Sequence, residues 1–164
     1  YFTLERFGWQ PQVIGLSLGL FGVTMALVQG WLIRLTLRWF GERFTVIWGH
    51  VFDMITFGLL AFVTSGTLAL ILTPLAALGA VVSPALQGIM SRIVSDDQQG
   101  ELQGVMTSVH ALSMIVSPLM MASVFSAFTR DGAALYQPGA PFLLSMALLV
   151  VGLFLFMRTR FSLT

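Results

Sequence analysis

Five apolar runs, at about residues 13–33, 44–64, 68–91, 102–128 and 141–157, occupy most of this 164-residue chain and push nearly all of its charge into the links between them. Each is close to the roughly 20 residues that a helix rising about 1.5 Å per residue needs to cross about 30 Å of hydrocarbon. Pro11 stands just ahead of the first run, where proline is tolerated, and Arg34 ends it. The residues Ser65-Gly66-Thr67 separate the second run from the third, so those two helices are expected to be antiparallel neighbours. Only 9% of residues are charged, against roughly 25% in soluble domains. The chain reads as an all-α membrane protein, a partial transmembrane domain of five spans over residues 1–164.

The charged residues orient those spans. Alternating sides places Arg34, Arg38, Arg43, Arg92, Arg158 and Arg160 at one face of the membrane and Arg6 and Arg130 at the other. Basic residues concentrate on the cytoplasmic side, so the links 34–43 and 92–101 and the C-terminus are expected there. Trp9, Trp31, Trp39 and Trp48 fall near the implied interfaces, where amphipathic rings are favoured. A net charge of +1 gives no footprint for nucleic acid. The chain opens on Tyr1 and a charged Glu5-Arg6 pair without a basic leader and short apolar core, and reads as a piece of a longer protein.

Asp53 breaks the pattern, about ten residues inside the second apolar run. A carboxylate held in hydrocarbon costs roughly 2.5–3.5 kcal/mol even on insertion scales, so such a group ordinarily faces a cavity and handles ions or substrate, or else bonds to a neighbouring helix. Counted from Arg43 at about 1.5 Å per residue, Asp53 lies about 15 Å deep, and His50, three residues earlier on the same helix face, about 10 Å deep. Near the midplane is where secondary transporters bind. Gln103, Thr107, His110, Met114 and Ser117 form a polar stripe on the fourth span, ending at Pro118, and Ser83, Pro84 and Gln87 repeat the theme on the third. Gln29, Gln87, Gln103, Thr107 and His110 are therefore expected to line a cavity, with helix packing as the plainer alternative for each.

Enzyme signatures are missing. The chain has no HExxH zinc pair, no GxSxG elbow and no GxxxxGK[ST] phosphate loop. With zero Cys it offers no disulfide, thiolate metal site or thiol nucleophile. A metal site from His50, Asp53 and His110 would need two helices to meet, and no metal or other cofactor is expected.

The segments Ile14-Gly15-Leu16-Ser17-Leu18, Phe40-Gly41-Glu42-Arg43, Pro84-Ala85-Leu86-Gln87-Gly88 and Gln98-Gln99-Gly100-Glu101-Leu102-Gln103-Gly104 resemble, in order, the C-terminal half of the major facilitator superfamily, most closely its tetracycline–proton antiporter branch. The resemblance implies that the five spans correspond to family helices eight through twelve of a twelve-helix fold. It implies that Asp53 is the membrane carboxylate needed for proton-coupled drug export, and that Arg38, Gly41, Glu42 and Arg43 belong to a cytoplasmic gating motif. The implied partners are a small-molecule drug, free or as a metal chelate, together with protons, lipid and the N-terminal half of the transporter. Met25 stands where many members carry a histidine, leaving His50 as a possible substitute, and Ser117-Pro118 stands where the family usually has Gly-Pro.

Overall fold

The structure, a computed structural model, describes residues 2–130 and 135–159. Arg160 and residues 131–134 of the link after the fourth span lie outside the described residues. Among those described there are helices and their links, and no strand. Helix α1, Phe2–Phe7, turns at Gly8 into α2, which starts at Pro11 and runs as α-helix to Leu27, as a wider π turn over Val28–Leu32, and again as α-helix to residue 40. Helix α3 covers residues 42–62. Helix α4 spans Gly66–Ile93, with a 3-10 segment at Ala77–Val81. A 3-10 turn at Asp96–Gln98 leads into α5, Gln99–Thr129, and α6 is Ala140–Arg158.

The expected link 34–43 is not a loop. Helical structure continues unbroken from Pro11 to Phe62 over 52 residues, apart from a corner at Gly41 with φ 76° and ψ 172°. A straight rod of that length would reach about 78 Å, more than twice the hydrocarbon thickness, so the chain must reverse. Leu35, Leu37, Trp39 and Phe40 extend the apolar helix past Arg34, and Gly41 turns it because a residue without Cβ adopts positive φ at little steric cost.

Helix α3 is the hub, packed along α4 on one side and α6 on the other. Two apolar clusters pin it at opposite ends. Val28, Ile33, Val46, Val81, Ala85, Ile89 and Phe156 form one, at the end that carries Arg34, Arg38, Arg43, Arg92 and Arg158. Trp9, Leu60, Val63, Ala69 and Leu72 form the other, with Phe2, Phe7 and Phe142 packed against it. At that aromatic end Arg6 donates to the Val63 carbonyl at 3.1 Å, Tyr136 donates to Glu5 at 2.7 Å, and Gln137 donates to the Ala61 carbonyl at 2.9 Å. Trp31 and Trp39 are exposed as expected of interfacial rings, but Trp9 is buried, its indole set against Gly66.

Candidate functional site

Asp53 projects from α3 toward the one stretch of α4 that is not α-helical. Pro74 has no amide hydrogen to return to Leu70, and within a turn the helix tightens into the 3-10 segment Ala77–Val81. Gly79, at the middle of that segment, lies so close to Asp53 that a β-carbon there would overlap the carboxylate. Gly49, one turn earlier on α3, lies close against Val81, Val82 and the Gly79 carbonyl. Small residues thus let the two backbones approach around the buried acid.

The half-buried carboxylate opens on a cleft of about 490 Å³, walled by Phe21 of α2, His50 and Phe57 of α3, residues 76–90 of α4 and Met106 of α5. Of the lining residues only His50 and Asp53 titrate. An apolar cleft of about 330 Å³ shares Phe21, Phe57 and Ala76 with it and continues toward Phe2 and Trp9 at the aromatic end. No hydrogen bond joins His50 to Asp53 among the described residues. The His50 Nδ1–H donates instead to the Val46 carbonyl at 3.0 Å, and Nε2, left to accept, stands 3.8 Å from the β-carbon position of Gly152 on α6. His50 and Asp53 therefore share a cleft without being in contact.

The residues expected to line a cavity do not reach this cleft. Gln29 is exposed on the π turn of α2. Gln87 donates to Gln103 at 3.3 Å, tying α4 to α5 at an exposed position. Thr107 is exposed, and His110 lines a separate shallow groove with Ser113, Met114, Ser117 and Pro118. The reason is the placement of α5: no residue of its most apolar window is buried, and Met106 alone of its side chains lines the Asp53 cleft. His110 lies outside the Asp53 cleft, and among the described residues no three metal-ligating side chains converge.

At the arginine-rich end, Gly41, Glu42 and Arg43 line a groove of about 410 Å³ with Leu37, Ile89 and Arg92. Glu42 sits in a notch over Gly88 of α4 and accepts an ion pair from Arg92 at 3.0 Å; its side chain is 13% exposed and that of Arg92 67%. Arg38 and Arg43 are exposed as well, but among the described residues the arginine paired with Glu42 is Arg92, on another helix. Sequence reasoning missed both Arg92 and Gly79. Arg92 carried a signal, as the basic residue that ends α4 on the same side as Glu42; for Gly79 the signal was Pro74, a helix breaker five residues before it.

Over 143 residues the chain is 38% identical to the class C tetracycline resistance protein of Escherichia coli, covering 82% of this chain and 36% of that protein. It is 41% identical over 123 residues to the class G protein of Vibrio anguillarum, covering 75% and 31%, and 39% identical over 130 residues to the class E protein of Escherichia coli, covering 79% and 32%. The chain spans about a third of the length of these curated relatives. The matches lie in the C-terminal part of those proteins. No family model and no solved structure matches it. With its all-helical architecture and this set of relatives, the chain belongs to the tetracycline-resistance branch of the major facilitator superfamily.

Proposed function

We propose that these helices are the C-terminal membrane portion of a proton-coupled exporter of tetracycline-class drugs in a bacterial inner membrane. One observation carries the reading: a lone carboxylate, Asp53, set about 15 Å into its span and open to a cleft between packed helices, in a chain related to tetracycline resistance proteins. In an alternating-access cycle Asp53 releases its proton toward the cytoplasm, exchanges it for cationic or metal-chelated drug, and reloads from outside. The proton gradient drives the cycle without a cofactor. The helices of the N-terminal half supply the rest of the binding cavity.

The arginine-rich end, with the links 34–43 and 92–101 and the C-terminus, is the cytoplasmic one under this reading. There the Glu42–Arg92 pair and the Gly41 corner form an element that holds α3 to α4 in one state and releases it in another. His50 lines the same cleft one helical turn from Asp53, which supports a role in passing a proton between the cytoplasmic side and that carboxylate. The test is Asp53→Asn in the complete exporter, assayed in everted membrane vesicles. Proton-driven drug uptake is expected to vanish while the amount of protein in the membrane stays normal, because the amide keeps the shape and loses the titrating proton. Near-normal drug/proton exchange in that variant rejects the reading.

A further inference from the structure

We propose that Gly79 is the seat of the Asp53 carboxylate, a positioning residue on α4 that holds the proton-handling group between the helices; the inference rests on the exporter reading above. Among the described residues the Asp53 side chain makes no hydrogen bond and no ion pair, so no polar partner fixes where the carboxylate stands. Shape fixes it. The carboxylate rests against the Gly79 backbone, in space that a β-carbon at that position would occupy. The backbone there is the 3-10 segment Ala77–Val81, bounded by Pro74 below and by the return to α-helix at Val82. A 3-10 stretch inside a long helix is a common place for a hinge.

The surroundings give the seat a consequence for proton transfer. The elements packed around Asp53 contribute apolar groups to the cleft: Phe21 from α2, Ala76, Ala77 and Leu86 from α4, and Met106 from α5. Ser83 is the polar side chain from those elements, and His50 on the helix of Asp53 itself is the other titratable group. The protonated and ionised forms of a carboxyl differ in their need for water, so moving the group from its seat into the open cleft changes the pH at which it loads and unloads. A side chain at 79 forces that move. Crowding α3 against α6 does not, and Gly58 offers the control: an added β-carbon there meets the Met146 sulfur of α6 at 3.4 Å and no atom of α4 within 4 Å.

The experiment compares Gly79→Ala, Gly58→Ala and Asp53→Asn in the complete exporter, measuring drug/proton exchange against pH in everted vesicles at matched protein levels. Gly79→Ala is expected to lower the turnover of exchange by about tenfold and to displace the pH of half-maximal exchange, while Gly58→Ala keeps the wild-type pH profile. A wild-type pH profile in Gly79→Ala, or the same displacement in Gly58→Ala, overturns the proposal. Should Gly79→Ala fail to reach the membrane, the exchange of positions decides: Asp53→Gly combined with Gly79→Asp returns a carboxyl to the same space from the other helix. Partial recovery over Asp53→Gly alone supports the seat, and no recovery overturns it. Full exchange in Asp53→Asn instead sinks the exporter reading itself, so the two failures are distinct.

Discussion

Helices α3 and α5 both carry polar residues at helical spacing, yet they meet opposite fates. On α3 Asp53 and His50 open on a cleft because the facing helix presents Gly79 and breaks its own winding there; on α5 the stripe from Gln103 to Ser117 lies along a helix whose apolar window has no buried residue. Polar spacing alone therefore does not locate a site within these helices. What distinguishes the two is the neighbour: small residues and a helix break let a second backbone come close enough to form walls. The arginine-rich end repeats the lesson, since Glu42 is held by the notch at Gly88 on α4 and by Arg92, which no local pattern pairs with it.

The contrast can be broken by substitution. The largest effect is expected at the α3–α4 contact: Gly49→Ala forces Val81 and Val82 aside and should destabilise the helix pair by about 1–3 kcal/mol, read as a lower melting temperature of the purified protein in detergent. The corresponding change on α5, Thr107→Ala, should stay within about 0.5 kcal/mol in the same assay. Equal losses at both positions would mean that α5 is as firmly packed as α3, and the contrast would fail.

Smaller effects sharpen it. Glu42→Gln removes the ion pair to Arg92, and since the Arg92 side chain is 67% exposed the cost to stability should be only about 0–1 kcal/mol, diminished by added salt. A loss well beyond that range would show that the charge of Glu42, 13% exposed in the Gly88 notch, holds this end together more strongly than an exposed pair can. Gln103→Leu removes the Gln87–Gln103 hydrogen bond, 3.3 Å long and exposed, and should cost about 0.6 kcal/mol or less. A greater cost than that of Glu42→Gln would reverse the order of the two interfaces.

Much of the helical frame was legible beforehand because hydropathy is a local property measured against a fixed membrane thickness. Gly41 is an instructive partial case: it belonged to an expected loop, but the residues before it are apolar and helix-compatible, so the loop shrank to a single corner with positive φ. Trp9 went the other way, buried against Gly66 rather than set at an interface, because α1 folds its aromatic residues onto the ends of α3 and α4. At the site, the depth of Asp53 and its shared face with His50 followed from counting residues along one helix. Their lack of contact did not, since it depends on His50 bonding back to Val46 and turning Nε2 toward α6.

By itself the sequence determined the helical class, the number of spans, the end at which arginines gather and the one span that carries a carboxylate near its middle. These follow from the length of each apolar run and from the cost of charge in hydrocarbon, both settled within a single segment. The tertiary structure alone decided that Gly79 faces Asp53, that Arg92 pairs with Glu42 and that Met106, in place of the polar stripe of α5, lines the cleft. Those outcomes depend on how each helix is rotated and on which neighbours fit it, and that is set by close packing between residues far apart in the chain.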